Sequence, residues 1–373
     1  MNQTRTFLLF ALVAVAYFLF MAWQKDYAPK PPQNTVAATA APNSDGSVPG
    51  AIPGSTAAAS NPAVGNVANA PAPAAAQLIT VQTDVLKLSV DSRGGSLVHA
   101  DLLAYPNAPR THKNPNPPPT VLLSSDEAHY SVAQNGLVSS SDAAPADQPN
   151  HLALFHSDKT SYVLADGQDE LKVDLTWQDA AGLKVTKTYT FKRGSYVIGV
   201  SQRIDNGAAT PWQGNAYQQL LRVEPPKASN WLANYSNPEQ RSFQGAAWFT
   251  GEKFEKLPFK DFAEPKDQLN AQIKGGWAAM LRLYFVTAWI PPAGQTEHYL
   301  TDTINPDSAH PRFLIRTVGP AISVAPGQTA TSESRLYVGP NRQGTMDAIA
   351  PGLDLTIDYG MFKIIAVPMH WVL

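Results

Sequence analysis

The sequence predicts an all-β protein folded as an antiparallel sandwich, and three observations support this prediction. Segments in which apolar and polar residues alternate recur from residue 77 onward, and this period of two is typical of half-buried strands. Turns rich in Gly, Asn, Asp and Pro separate the segments, as they do in β-hairpins. Few windows have the periodicity of a helix. All-β domains extend to about 250 residues as one unit, so residues 77–350 are predicted to form one large sandwich.

Four strand patterns each place apolar side chains on one face. These faces comprise Leu86, Leu88 and Val90; Leu171, Val173, Leu175 and Trp177; Val185, Tyr189 and Phe191; and Tyr196, Ile198, Val200 and Ile204. Turn signals at residues 179–182, 192–195 and 205–207 follow the second, third and fourth patterns. The spacing therefore predicts consecutive short strands joined by tight turns.

Helices are predicted only as local exceptions. The segment from Arg342 to Ala350 is the better helical candidate, because a Pro-Gly pair directly after it would end a helix there. The segment from Lys253 to Phe262 is a weaker candidate, since Pro258 interrupts it.

Residues 7–24 are predicted to form a transmembrane helix. The run is apolar and uncharged, and at 1.5 Å per residue it would extend about 25 Å, close to the thickness of a bilayer core. A cleavable signal peptide is the rival interpretation, with small residues at 14–16, but the apolar run continues beyond them. An uncleaved anchor is therefore favoured, and Arg5 places residues 1–6 in the cytoplasm.

Residues 25–76 are predicted to be a linker. The segment consists mainly of Ala, Pro, Asn, Gly, Ser and Thr and carries few charges. Such a composition does not bury enough apolar surface to offset the entropy lost on ordering. The linker would let a folded domain move relative to its anchor.

Composition excludes several classes of function. The formal net charge of -2 provides no basic field of the kind that nucleic-acid binding requires, so nucleic acid is not an expected partner. The chain contains no cysteine, which excludes disulfides, thiol catalysis and cysteine-based zinc sites.

The motif search predicts no catalytic, cofactor-binding or metal-ligating residue. His151 and His156 have no metal-binding spacing, and surface or hydrogen-bonded histidines are the better interpretation. The glycine pair Gly94-Gly95 belongs to no phosphate-binding motif and is explained by a turn. Aromatic residues recur in "NWLANY", "GAAWFT" and "GGWAAMLRLYF"; they are expected to fill the core, although a sugar or peptide groove is the alternative.

Several stretches, in this order and spacing, resemble the N-terminal part of YidC-type membrane protein insertases of Gram-negative bacteria. They are "ITVQTDVLKLSVDSRGGSLVHADLLAYP", "YVLADGQDELKVDLTWQDAAGLKVTKTYTFKRGSYVIGV", "FQGAAWFTGEKFEKLPFKDF", "IKGGWAAMLRLYFVTAWIP", "ESRLYVGP" and "LDLTIDYG". The resemblance implies a periplasmic β-supersandwich of the galactose-mutarotase type, in a protein held in the bacterial inner membrane with most of this chain in the periplasm. A shared fold does not carry the chemistry of mutarotases.

The resemblance also implies a function and partners. The family inserts and folds inner-membrane proteins, alone or with the Sec translocon, so the expected partners are nascent membrane proteins, the translocon with its SecD and SecF components, and the lipid bilayer. It implies no enzymatic activity and no cofactor. The stretch from Gln219 to Phe259 is a partner surface by resemblance only.

One departure from the family pattern concerns the end of the chain. The five later transmembrane helices that form the insertion groove of the family have no counterpart in this sequence, so no groove residue is assigned. Residues 351–373 resemble the start of an interfacial amphipathic helix, with Lys363 and His370 on one helical face. The resemblance predicts a natural reading frame that continues beyond Leu373.

A second hypothesis comes from a different class of protein. The same sandwich suits a membrane-tethered periplasmic protein that binds or modifies carbohydrate. This hypothesis predicts a cleft with converging carboxylates or histidines, together with oligosaccharide binding by the folded domain.

Overall fold

The computed structural model describes residues 76–140, 148–226, 242–264, 267–342 and 344–357, and every structural statement below concerns these residues. The predicted transmembrane helix at 7–24, nearly all of the predicted linker and the segment 358–373 lie outside them. No helix among the described residues is long and apolar enough to cross a membrane.

Eighteen strands form two sheets, as the predicted all-β class requires. The ten-stranded sheet contains β1 (Leu78–Gln82), β2 (Leu86–Asp91), β3 (Ser96–Pro106), β4 (Pro119–Leu123), β5 (Ser131–Ser139), β6 (Ser161–Val163), β10 (Trp212–Val223), β13 (Asn270–Lys274), β16 (Thr296–Ile304) and β17 (Arg312–Val324). The eight-stranded sheet contains β7 (Glu170–Gln178), β8 (Leu183–Lys192), β9 (Val197–Asn206), β11 (Gly245–Phe249), β12 (Phe254–Pro258), β14 (Trp277–Arg282), β15 (Phe285–Ile290) and β18 (Thr329–Pro340).

The strand order shows how the chain passes between the sheets. The larger sheet runs β13-β16-β17-β10-β5-β3-β2-β1-β6, with β4 paired to β3, and the smaller runs β12-β11-β14-β15-β18-β9-β8-β7. Pairing is antiparallel except between β1 and β6. The meander β7-β8-β9 corresponds to three of the four predicted strand patterns, and its turns lie where the sequence places them.

The core lies between the two sheets and follows the predicted faces. In β2, Leu86, Leu88 and Val90 are all buried, and in β9 the side chains of Ile198 and Ile204 are fully buried. Aromatic residues of "GAAWFT" and "GGWAAMLRLYF" fill this core, as expected from their size, although Tyr284 of the second stretch is exposed; "NWLANY" lies outside the described residues. Trp248, Phe249 and Trp277 are buried, and the rings of Phe249 and Trp277 stack with centroids 6.2 Å apart.

The strand β10 is buried on both of its faces. From Gly214 to Val223 every residue is buried, although an antiparallel strand commonly has one solvated face. Alternate residues such as Leu220 join the main core, while Leu221 packs with Val132 and Leu314 in a separate cluster. The two faces of the larger sheet are therefore both covered near its centre.

Both predicted helices are wrong. Residues 254–258 within the first candidate form strand β12, because they pair with β11 along its whole length; only a short 3₁₀ turn, Phe259–Asp261, follows. The described residues of the second candidate are turns. There the carboxylate of Asp347 accepts a hydrogen bond from the backbone N–H of Gly352, and such side-chain bonds compete with a helix.

The segment after β18 packs firmly onto the smaller sheet. Met346, Ala350 and Leu353 are buried, and the indole Nε1 of Trp277 donates to the carbonyl of Pro351 at 3.1 Å. A 3₁₀ turn, Leu353–Thr356, ends the described part of the chain. The packed structure thus continues past residue 350.

Candidate functional site

An open cleft of about 1060 Å³ lies where β4 approaches the β14–β15 hairpin. Its walls come from the end of β3 and the following loop, from β4, from the end of β10 and from the hairpin. The lining is mainly apolar, aromatic and proline-rich, with Ser, Thr and Arg side chains interspersed. It comprises Tyr105, Pro106, Asn107, Ala108, Pro109, Thr120, Val121, Leu122, Ser124, His129, Ser131, Arg222, Val223, Pro225, Pro226, Met280, Arg282, Leu283, Tyr284, Phe285 and Thr287.

Two arginines connect the sheets across this cleft. Arg282, in the smaller sheet, donates from Nη1 to the carbonyl of Val121 in β4 at 2.7 Å. Arg222, in the larger sheet, donates from Nη1 to the carbonyl of Leu281 at 2.7 Å and its guanidinium lies 5.7 Å from the ring centroid of Phe259. Charge-assisted bonds to carbonyls are stronger than neutral ones, so the arginines hold the walls at a fixed separation.

The cleft lining combines apolar and aromatic side chains with a few hydrogen-bonding groups. The described lining includes no carboxylate, so the carboxylate pair that glycosidases use does not converge there. His129 lies at the rim, and its Nδ1 is 2.9 Å from the Oδ1 of Asp126. That contact lowers the pKa of the exposed Asp126 carboxyl. Within the described ranges, no group of three or more His, Asp or Glu residues is placed to hold a metal ion.

A buried lysine connects the two sheets away from the cleft. Lys187, on the inner face of β8, is fully buried. Its Nζ donates to the carbonyl of Gly94 at 2.5 Å and to that of Asn135 at 2.9 Å, and lies 4.8 Å from the ring centroid of Phe155. Burial lowers the pKa of Lys187 to about 7, because desolvation penalises the charged form.

Tyr189, two residues after this lysine on β8, makes a second set of hydrogen bonds between the two sheets. Its hydroxyl donates to the carbonyl of Gly95 at 2.5 Å and accepts from Nδ2 of Asn135 at 2.9 Å. Burial raises the pKa of the Tyr189 phenol. Lys187 and Tyr189 together fix the turn between β2 and β3 against the smaller sheet.

The histidine His151 is buried as a hydrogen-bonded side chain. Its Nδ1 lies 2.5 Å from the hydroxyl of Tyr217, and its backbone N–H donates to the same oxygen at 3.0 Å. Burial, with Arg316 and Lys187 nearby, lowers the pKa of His151 to about 3, so the imidazole is neutral at neutral pH. His156 lies apart, in a backbone bridge with Thr176.

A row of polar side chains extends across the outer face of the larger sheet beside His151. Arg316 donates from Nε to the Oε1 of Gln219 at 2.7 Å, and Nε2 of Gln219 donates to the Oε1 of Gln134 at 2.6 Å. The guanidinium of Arg316 lies 5.8 Å from the ring centroid of Tyr217. Burial lowers the pKa of Arg316 to about 10, which leaves it charged at neutral pH.

The carboxyl of Glu297 is a further buried titratable group. Glu297 is 2% exposed, and its Oε2 has no hydrogen-bond partner among the described residues. Because Gly319 has no side chain, it leaves room for the Glu297 carboxyl. A Cβ on residue 319 would lie 3.5 Å from Oε1 of Glu297 and 3.1 Å from Nε2 of Gln295. Burial raises the pKa of Glu297 to about 7, opposed by a hydrogen bond from Thr317.

The substitution Glu297→Gln is expected to stabilise the domain above pH 7. The pKa of Glu297 rises from 4.5 to about 7 on folding. The carboxyl therefore contributes stability to the folded domain that is fully present below pH 4.5 and is lost as pH rises through 7. The loss amounts to about 3 kcal/mol at 1.36 kcal/mol per pKa unit. Chemical denaturation at several pH values measures it. The exposed Glu333→Gln is the matched control, and equal pH profiles for wild type and Glu297→Gln would contradict the prediction.

The structure also limits the partner surface that the resemblance implies. Within Gln219 to Phe259, the residues of β10 and β11 are buried, so their side chains are not part of the exposed surface. Residues 227–241 lie outside the described residues. The exposed described positions are Glu224, Pro226 and the turn at 251–253, together with the partly exposed strand β12.

Sequence reasoning missed the buried charged residues. Lys187 has the same parity as Val185, Tyr189 and Phe191 in β8, so the alternation itself places it on the inner face. For Arg222 and Arg316, alternation of apolar and polar residues could not predict burial, because the strands that contain them are buried on both faces around these residues.

The fold and the site define a large two-sheet β-sandwich domain with an open cleft. The model of the YidC periplasmic domain family matches residues 78–372, and the chain belongs to this family. Proteins called membrane protein insertase YidC align over the whole chain: that of Stenotrophomonas maltophilia is 39% identical, that of Aeromonas hydrophila 38% and that of Thioalkalivibrio sulfidiphilus 35%. The chain spans 64%, 64% and 65% of their respective lengths.

Solved structures with a similar arrangement are more distant. A putative aldose 1-epimerase from Escherichia coli K12 has 13% identity and a TM-score of 0.40, over 71% of this chain and 99% of the other. A galactose mutarotase related enzyme from Lactobacillus acidophilus has 8% identity and a TM-score of 0.42, over 70% and 97%. Likeness at this level carries no argument about activity.

Proposed function

We propose that this chain is the anchor, linker and periplasmic domain of a membrane protein insertase, which inserts and folds inner-membrane proteins alone or with the Sec translocon. The observation that supports this most is the match to the YidC periplasmic domain over residues 78–372. Relatives called insertases, aligned over the entire chain, add to it.

The proposal includes an arrangement in the membrane. Residues 1–6 lie in the cytoplasm, residues 7–24 cross the inner membrane and residues 25–76 form the linker. Residues 77–350 form a periplasmic β-supersandwich of the galactose-mutarotase type, onto which residues 351–357 also pack. The interfacial amphipathic helix expected within residues 351–373 begins after them. The apolar composition of residues 7–23 and 361–373 supports both membrane contacts.

In this proposal the described domain binds and positions partners and performs no chemical step. Nascent inner-membrane proteins, the Sec translocon with SecD and SecF, and the lipid bilayer are the partners. The cleft supports a binding role, since apolar and aromatic walls with a few hydrogen-bonding groups are typical of binding pockets. The carbohydrate hypothesis is not favoured, because the family match and the aligned relatives support an insertase.

Depletion of the protein in its native cell tests the proposal. Small inner-membrane proteins are expected to remain uninserted, as measured by protease accessibility from the periplasmic side. A soluble secreted protein is the control, because its export does not require lateral insertion into the bilayer. Unchanged insertion of every small membrane protein after depletion would refute the proposed function.

A further inference from the structure

The tip of the β14–β15 hairpin carries an unusual residue for its position. Tyr284 is 67% exposed, and its backbone has a φ of +65°, a left-handed conformation that disfavours bulky side chains. Glycine adopts this conformation without cost. A large aromatic group, which also lines the cleft, is therefore kept exposed at a strained turn.

This tip is joined to the place where the chain leaves the sandwich. The backbone N–H of Asn341 donates to the carbonyl of Tyr284 at 2.8 Å. The side chain of Asn341 also contacts Thr356, accepting from its Oγ1 at 3.2 Å. Beside Thr356, Leu355 is 40% exposed. Tyr284, Asn341, Leu355 and Thr356 define one end of the sandwich, which we call the exit face.

The chain enters the sandwich at the opposite end. Leu78 pairs with Asp91, which pairs with Ser96 at the start of β3. The other end of β3 reaches the exit face, because the ring of Tyr105 contacts that of Phe285 with centroids 5.8 Å apart. Nine residues of strand separate Ser96 from Tyr105, or about 30 Å at 3.3 Å per residue.

The sequence that follows the exit face indicates its surroundings. Residues 361–373 read "MFKIIAVPMHWVL", an apolar segment that the proposed function places in the membrane interface. Only a few residues separate Ile357, the last described residue, from this segment. Under the proposed function, only a short connection separates the exit face from the lipid surface.

We propose that the exit face contacts the phospholipid headgroup layer, with the Tyr284 side chain inserted at the interface. The inference rests on the proposed function only in taking residues 361–373 as interfacial. Tyr suits this place because its ring is apolar and its hydroxyl bonds to water or headgroups. The exposed leucine beside the exit adds apolar area to the same contact. A lipid surface satisfies both groups, and the proposed function places one shortly after the last described residue.

The absence of cysteine from the chain permits a direct test with single-cysteine variants. Tyr284→Cys, Leu355→Cys, Leu78→Cys and Ala366→Cys are each labelled with an environment-sensitive fluorophore. Each full chain is reconstituted into vesicles of phosphatidylethanolamine and phosphatidylglycerol that carry a headgroup-level quencher. Leu78 is the matched control, since it is 61% exposed, about as exposed as Tyr284, and lies at the opposite end.

We expect several-fold stronger quenching at positions 284, 355 and 366 than at position 78. Quenching at 366 without quenching at 284 and 355 would overturn the exit-face contact while leaving the interfacial helix intact. Quenching at none of the three would overturn the contact and the helix together. Equal quenching at 78 and 284 would show that no end is preferred, which also overturns the inference.

The variant Tyr284→Gly separates a membrane role from a structural one. Glycine relieves the positive φ, so the midpoint of thermal unfolding is expected to stay the same or rise. Quenching of a label at position 355 is expected to fall in the same variant, because the inserted ring is lost. A lower unfolding midpoint with unchanged quenching at 355 would mean that Tyr284 serves the fold alone, and would refute the inference.

Discussion

Replacing Lys187 by methionine is expected to abolish a large increase in stability between pH 7 and about pH 9.5. Lys187 is fully buried, and no carboxylate is among its contacts, which are the carbonyls of Gly94 and Asn135 and the ring of Phe155. Methionine has a similar length and no charge, so it removes the titration while keeping most of the packing.

The sign of the effect follows from the direction of the pKa change. The pKa of Lys187 falls from 10.5 to about 7 on folding, so between these values the unfolded chain binds a proton that the folded chain does not. The penalty applies fully below pH 7 and is relieved as pH rises toward 10.5. From pH 7 to 9.5 the wild-type domain should gain about 3 kcal/mol at 1.36 kcal/mol per pKa unit.

The measurement is chemical denaturation of the chain in mild detergent, followed by tryptophan fluorescence at several pH values. Lys184→Met is the matched control, because Lys184 is exposed on the same strand. The wild type and the control should share the rise, and Lys187→Met should lack it. A rise of equal size in Lys187→Met would show that Lys187 remains charged in the folded domain.

The substitution Gly94→Ala is expected to be among the most destabilising single changes in the domain. Gly94 has a φ of +69°, and a Cβ there would lie 2.2 Å from the backbone carbonyl oxygen of His151. Backbone atoms do not move aside as a flexible side chain does. The left-handed conformation costs about 1–2 kcal/mol for a non-glycine residue, and overpacking adds roughly 1–3 kcal/mol.

The comparison with Gly167→Ala isolates the steric part of this cost. Gly167 has a φ of +79°, and nothing lies within 4 Å of a Cβ built there. The Gly167→Ala variant should therefore lose only the conformational part of the free energy of unfolding, about 1 kcal/mol. Denaturation midpoints of both variants measure the difference. Equal losses for the two alanines would contradict the close approach of His151 to the β2–β3 turn.

The strands were predictable because their signal is local. In β8 the period of two predicted the buried faces of Val185, Tyr189 and Phe191, and the turns on either side confirmed the boundaries. The same period places Lys187 among them, yet a lysine is seldom fully buried. At Lys187, the residue type therefore argued against burial, while its place in the alternation argued for it.

The two helical predictions failed for a physical reason that lies outside the local sequence. Residues 254–258 pair with β11, a partner that sequence reasoning does not identify. Around residues 344–352, buried side chains such as Met346 fit against the smaller sheet in a turn-rich path. Tertiary contacts override the weak intrinsic preference of short segments for helix.

The candidate site depended still more on three-dimensional structure. The arginines that span the cleft, Arg222 and Arg282, are 60 positions apart in the sequence and become neighbours because Arg222 donates to the carbonyl of Leu281. Lys187 and His151 likewise meet at the β2–β3 turn, because Lys187 donates to the carbonyl of Gly94 and Gly94 lies against the backbone of His151. No spacing rule connects residues that meet only through the packing of two sheets.

By itself, the sequence determined the all-β class, the residues that face the core in the clearest strands, and the resemblance that the family match then bore out. It did so because side-chain alternation and turn chemistry are properties of neighbouring residues. The tertiary structure alone decided that His151, Glu297 and Arg316 are buried and that Tyr284 is held at the exit face. These outcomes depend on which distant strands pack together, and that information is distributed over the whole chain.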